Sequence, residues 1–91
     1  LTFKLAPGTD EAAFLEADRA VQDEVVPREA GFLRRTTARG AEGEWIVLLL
    51  WRSEADADAS AERSRRHPAQ IRFTSLLDGS TLRPRRWLTL D

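Results

Sequence analysis

The sequence has no cysteine, no methionine and no tyrosine, and it has only one histidine. Without cysteine the chain cannot form a disulfide framework, a thiolate metal site or a cysteine nucleophile, which favours a reducing, cytoplasmic location. With a single histidine as well, we expect no metal site. The absence of an initiator methionine predicts that the natural chain extends upstream of Leu1.

The sequence also lacks a strong net charge and a long apolar run. It has 14 Lys and Arg residues against 15 Asp and Glu residues, so no overall field attracts nucleic acid or an anionic membrane. The longest apolar run, residues 45–51, is far shorter than the roughly 20 residues that span a bilayer, and the first residues do not resemble a signal peptide. We therefore expect neither a nucleic acid nor a membrane as partner.

The most informative stretch is Glu44–Trp51, which is apolar on both of its alternating faces. Such a pattern predicts a strand that is buried on both sides. Trp45 and Trp51 share one face, and Ile46 shares the other with two leucines. The sequence does not decide which face meets the helices, so the tryptophans either stack on a flat ligand or belong to the core.

Ninety-one residues predict one domain, covering residues 1–91. Alternation, helical spacing, capping residues and turn residues predict the elements around the strand at 44–51. They are a strand over 1–5, a helix over 10–26, a strand over 32–39, a helix beginning at Ser53, a short helical turn around 71–77, and an edge strand over 81–90 that contains Pro84. This order predicts an α+β fold, the ferredoxin-like split βαββαβ arrangement with a four-stranded antiparallel sheet.

The helix that begins at Ser53 contains only alanine as apolar residue, so it covers little of the sheet. Both helices of a split βαββαβ fold lie on one face, which leaves the other face of the strand at 44–51 exposed. Exposed apolar area forfeits about 25 cal/mol per Å², a serious loss for a small domain. We therefore expect a homodimer that forms through the sheet face.

Several short motifs occur in an order that resembles the antibiotic biosynthesis monooxygenase (ABM) family. They are Phe3-Lys4-Leu5-Ala6-Pro7-Gly8, Pro27-Arg28-Glu29-Ala30-Gly31-Phe32, and Trp51-Arg52-Ser53-Glu54 followed by an alanine-rich helix and His67-Pro68. The resemblance implies a dimeric α/β barrel in which each protomer has a cavity between sheet and helices. Some members of the family oxidise aromatic polyketides without a cofactor, and others degrade haem.

The resemblance does not extend to haem degradation. Haem-degrading relatives have an asparagine on the first strand, where this chain has Leu1, and a tryptophan on the second helix, where it has residues such as Ser60. Their iron-binding histidine corresponds only loosely to His67. The resemblance therefore implies a homodimer that binds a small hydrophobic or aromatic molecule. Oxygenation of that molecule without a cofactor is the activity that the resemblance leaves open.

The predicted ligand pocket is lined by Phe3, Phe14, Trp51 and Phe73. His67 is the predicted catalytic proton donor or acceptor, because histidine is the residue type suited to acid–base chemistry near neutral pH. The alternative for His67 is a role at a helix end. The alternative for the protein is a non-catalytic or stress-related dimer whose pocket is filled by its own side chains.

Overall fold

The computed structural model describes residues 1–90; the predicted domain runs to Asp91, which lies outside the described residues. Three strands and three helices make up its regular structure. They are β1 (Thr2–Lys4), α1 (Glu11–Glu24), β2 (Phe32–Arg39), β3 (Glu44–Trp51), α2 (Glu54–Ser64) and α3 (Pro68–Ser75), with 3-10 turns at Val26–Arg28, Ala41–Gly43 and Gly79–Thr81. The predicted bounds of β2 and β3 are confirmed, and those of β1 and α1 are confirmed to within two residues.

The sheet is antiparallel, and β3 is its central strand in the order β1-β3-β2. The β2–β3 hairpin turns through Glu42 and Gly43, both of which have positive φ. Phe3 pairs with Trp45 on one side of β3, and Arg39 pairs with Trp45 on the other. Since β1 has only three residues, it covers β3 only near its start.

The helices decide which face of β3 is buried. Trp45 and Val47 are 5% and 3% exposed and pack under α1 and α3, whereas Leu48 on the opposite face is 50% exposed. The helical spacing of Phe14, Ala17, Val21 and Val25 places them on one side of α1 and its C-terminal end, and all four are buried. The odd-numbered residues of β3 therefore face the helices, and the even-numbered residues form the outer face of the sheet.

Side-chain caps fix where each helix begins. Asp10 accepts a hydrogen bond from the Ala12 N–H and begins α1, and Ser53 accepts one from the Asp56 N–H at 3.1 Å and begins α2, as its Ser-x-x-Asp signal predicts. The His67 imidazole does the same for α3, whose first residue is Pro68. The short turn predicted around residues 71–77 is therefore a full helix of eight residues.

The predicted fourth strand is wrong, and with it the four-stranded ferredoxin-like sheet. Arg83 forms one antiparallel bridge to Thr2, with N–H···O bonds of 2.9 and 3.2 Å, and residues 84–90 have no regular structure. Pro84 has no N–H to donate, so it interrupts the ladder directly after the Arg83 bridge. The fold resembles the ferredoxin-like arrangement only in part, and the expected dimeric α/β barrel of four-stranded sheets loses its basis.

Two surfaces remain apolar and exposed. One is the outer face of the sheet, where Leu48 and Leu50 are 50% and 40% exposed. The other is the C-terminal segment, residues 84–90, where Trp87 and Leu88 are 74% and 86% exposed. Within residues 1–90, none of the helices has the length and apolar character needed to cross a bilayer.

Candidate functional site: a groove beside the central strand

A groove of about 1290 Å³ lies between the second half of β3, the helices α2 and α3, and the C-terminal segment. Two features set its boundaries. The pairing of the N-terminal residues with β3 reaches only to Val47, so at Leu49 nothing in residues 1–90 pairs with the edge of β3 that faces the groove. The helix α2 presents Ala57 and Ala61, and these small side chains leave the space open.

The position of α2 depends on Gly31, immediately before β2. The Gly31 carbonyl accepts a hydrogen bond from the Arg52 N–H at 2.8 Å, just before α2 begins. Gly31 has a φ of +79°, and a Cβ at this position would clash with the Asp56 carboxylate of α2. A glycine at residue 31 therefore lets α2 start close to β2 and fixes one wall of the groove.

The lining of the groove is largely apolar. Val47, Leu49 and Trp51 contribute from the inner face of β3, and Val25 and Phe73 contribute from the helices. Trp51 packs edge to face on Phe32, with ring centroids 5.7 Å apart, and remains partly exposed. Apolar area of this kind gains free energy when a contact removes it from water.

One charged side chain is buried beside this apolar lining. The Arg35 side chain is 3% exposed, and its Nη1 lies 2.8 Å from the Asp18 carboxylate of α1. Nη1 also donates to Thr37 Oγ1 at 3.3 Å, and the guanidinium carbon lies 5.5 Å from the centre of the Phe73 ring. Thr37 in turn donates to Asp18 at 2.9 Å, so a hydrogen-bonded triad holds Arg35 in place.

Charge is unevenly distributed around the groove. The lining contains one acid, Glu54, and six arginines, which are Arg35, Arg52, Arg65, Arg83, Arg85 and Arg86. Arg86 forms ion pairs with Glu54 and with Asp58, at 3.6 and 2.6 Å. Arg35, Arg52 and Arg65 pair with Asp18, Asp56 and Glu62, which lie outside the lining. Among residues 1–90, the positive charge of the lining without an ion pair is that of Arg83 and Arg85.

The structure separates the predicted pocket residues into two groups. Phe3 and Phe14 are 1% and 0% exposed and pack edge to face with centroids 5.8 Å apart, so they form the core beneath the groove. Trp51 and Phe73 line the groove itself. Phe73 belongs to both sets, since its ring also packs on Phe3 and Phe14.

His67 is not part of the groove lining. It caps the N-terminal end of α3, which is the alternative role that the sequence analysis gives for it. Its Nδ1 accepts the Ala69 N–H at 3.0 Å, which requires that Nδ1 carry no proton. Protonation of the ring would therefore compete with the cap of α3. This arrangement supports a structural role for His67 rather than proton transfer in the groove.

Sequence reasoning missed Arg35 as a site residue. Its position at the polar end of an alternating strand favours a solvated side chain, and its burial depends on Asp18, which is 17 positions earlier in the chain and on another element. The next residue on the helix-facing side of β2 is the polar Thr37, and the residue paired with Arg35 on β3, Leu49, is 42% exposed. No local pattern therefore marks Arg35 as buried. Among residues 1–90, no group of three His, Cys, Asp or Glu side chains is arranged to hold a metal ion.

The Leu1 α-amino group also borders the groove and donates to the Val47 carbonyl at 3.0 Å. Partial burial lowers the pKa of this amino group from its ordinary value, because desolvation disfavours the charged form.

Comparison of the chain with protein-family models, curated proteins and solved structures finds no match. The resemblance to the ABM family therefore stays a prediction that rests on the short motifs alone.

Proposed function

We propose that this protein binds a small apolar or aromatic molecule in the groove between β3 and α2. The observation that carries the proposal is the open, largely apolar space of about 1290 Å³ beside exposed faces of Leu49 and Trp51. A cavity of this size accommodates a molecule of drug-like dimensions. Leaving such side chains in water costs free energy that a ligand recovers.

Binding without catalysis is the form of this proposal that the groove supports best. Cofactor-independent oxygenation needs a group that takes a proton near neutral pH, and the one histidine caps α3 outside the lining. The polar side chains that do line the inner wall, such as Ser60 and Gln70, hydrogen-bond but do not titrate near neutral pH. Oxygenation, as the ABM resemblance implies it, is the second candidate at the same site.

The four alanines of α2 provide a matched test of the binding proposal. Ala57 and Ala61 line the groove, whereas Ala55 and Ala59 do not. We expect the neutral fluorescent probe N-phenyl-1-naphthylamine to bind the wild-type protein with enhanced emission. The double variant Ala57→Leu/Ala61→Leu should weaken its binding at least about tenfold, since the added side chains occupy the space of the probe.

The control is the double variant Ala55→Leu/Ala59→Leu, which makes the same chemical change on the other side of the same helix. It should bind the probe as the wild-type protein does. Equal weakening in both double variants would point to a general change in α2, and absence of probe binding to the wild-type protein would overturn the proposed function.

We also propose that the protein associates as a homodimer through the outer face of its three-stranded sheet. Ile46, Leu48 and Leu50 form an apolar row there, flanked by the small side chains of Thr36 and Ala38 on β2. A row of this kind on a central strand leaves apolar area in water unless another surface covers it. A second copy offers the same row and forms a self-complementary contact about a two-fold axis.

A further inference from the structure

The bound molecule can be specified further from the polar groups that Arg35 presents to the groove. An arginine has five N–H donors in a planar fork, and two of them belong to Nη1. Nη1 is the nitrogen that contacts Asp18 and Thr37. Within residues 1–90, no partner is found for the remaining donors on Nε and Nη2.

These free donors are not sealed inside the protein. No side-chain nitrogen or oxygen among the described residues is both buried from solvent and without a hydrogen-bond partner. Arg35 lines the groove with a side chain that is 3% exposed. We infer from this position that the unused donors of its guanidinium face the groove.

The charges around the groove favour an anion at this position. Asp18 neutralises Arg35, so the pair alone would accept a neutral carbonyl as readily as an acid. Three of the other five arginines of the lining form ion pairs: Arg52 with Asp56, Arg65 with Glu62, and Arg86 with Glu54 and Asp58. Arg83 and Arg85 have no such pair among residues 1–90, and their charge favours the acid over the neutral carbonyl. A groove of one sign with low-dielectric walls raises the local concentration of the opposite charge.

We propose that the ligand of the groove is an amphipathic anion, an apolar or aromatic molecule whose carboxylate binds the free N–H donors of Arg35. The apolar part lies against Trp51 and Leu49, and the carboxylate receives the fork of Nε and Nη2. Hydrogen bonds between a guanidinium and a carboxylate are stronger than those between neutral groups. This inference rests on the proposed function and adds the charge and the anchor of the ligand.

The test uses two competitors with the same aromatic body, naphthalene-2-carboxylate and its methyl ester, which differ in charge and by one methyl group. Each is titrated against N-phenyl-1-naphthylamine bound to the wild-type protein, at pH 7 and low ionic strength. We expect the carboxylate to displace the probe with an inhibition constant about tenfold lower than that of the ester, from charge-assisted hydrogen bonds. In a groove without an anion site the order would be reversed, because the carboxylate loses more hydration on binding.

Two matched double variants locate the anchor. Asp18→Asn/Arg35→Gln removes the buried pair without leaving a lone charge, and it should abolish the preference for the carboxylate. Glu11→Gln/Arg39→Gln removes the neighbouring ion pair between α1 and β2, which lies outside the groove lining, and it should keep the preference. Circular dichroism and the binding of the neutral probe show whether each variant retains its fold and its groove.

A second measurement needs no substitution. In the wild-type protein, the Arg35 Nε–H resonance in a ¹⁵N correlation spectrum should shift on addition of naphthalene-2-carboxylate and stay unchanged with the ester. The proposal is overturned if that resonance ignores the carboxylate, or if the ester competes as well as the acid. It is also overturned if the preference survives in Asp18→Asn/Arg35→Gln.

The outcomes separate this inference from the proposed function. If the neutral probe binds and the ester competes as well as the acid, the groove binds apolar ligands and only the anion inference fails. If the neutral probe does not bind the wild-type protein at all, both fail together.

Discussion

Replacement of Phe14 by alanine should reduce the free energy of unfolding by about 3–5 kcal/mol. The Phe14 ring is fully buried and contacts three other rings, with centroid distances of 5.8 Å to Phe3, 4.8 Å to Trp45 and 5.4 Å to Phe73. These residues come from α1, β1, β3 and α3, so removal of the Phe14 ring leaves a cavity where these four elements meet.

This loss is a large fraction of the roughly 5–15 kcal/mol that stabilises a typical domain. For a chain of this length it corresponds to a fall in melting temperature of about 12 °C or more. Urea titration followed by circular dichroism and by tryptophan fluorescence measures the change, with Trp45 as the reporter inside the cluster. Phe32→Ala is the control, because it removes the same side chain from a half-buried position. A loss from Phe14→Ala no greater than that from Phe32→Ala would contradict the central role of the aromatic cluster.

The features that the sequence predicts correctly are those set by local periodicity. The spacing of Phe14, Ala17 and Val21 defines the buried face of α1 because a helix places residues three and four apart on one side. The run 44–51 is long, apolar and bounded by a glycine turn and a cap, so its identity as a strand does not depend on distant residues. The cap at Ser53 is equally local.

The features that it does not predict depend on partners elsewhere in the chain. Residues 81–90 have the composition of a strand, but their pairing with the first strand is limited to a single bridge between Arg83 and Thr2. Pro84 interrupts the ladder at the same point. The eight residues of α3 are too short for helical spacing to show, although His67 followed by Pro68 is a start signal that could have indicated a helix.

The residues of the groove also depend on packing between distant parts of the chain. The sequence predicts four aromatic residues as pocket lining, but Phe3 and Phe14 pack on each other in the core. Of the four, only Trp51 and Phe73 line the groove. Arg35 belongs to the site because α1 places Asp18 beside it. Which side chains meet, and which remain free to bind, is set by packing between elements and not by residue type.

Replacement of Leu48 by lysine should convert a dimer into a monomer. Leu48 lies in the middle of the outer row of β3, opposite Thr36, and is 50% exposed in the single chain. In a two-fold contact each copy contributes the same residue, so one substitution places two charges in the interface. Burial of unpaired charges costs several kcal/mol, and we expect the dissociation constant to rise at least about 100-fold.

Sedimentation velocity gives the mass directly, and a wild-type dimer has about twice the 10.3 kDa of one chain. Leu15→Lys on α1 is the matched control, because Leu15 is 44% exposed but lies on the helical side, away from the outer face. Leu48 also borders the groove, so the readout is mass rather than ligand binding. A wild-type monomer at micromolar concentration would overturn the dimer. If Leu48→Lys remained dimeric, the contact would have to lie elsewhere, and the exposed Trp87 and Leu88 of the C-terminal segment would be the next surface to test.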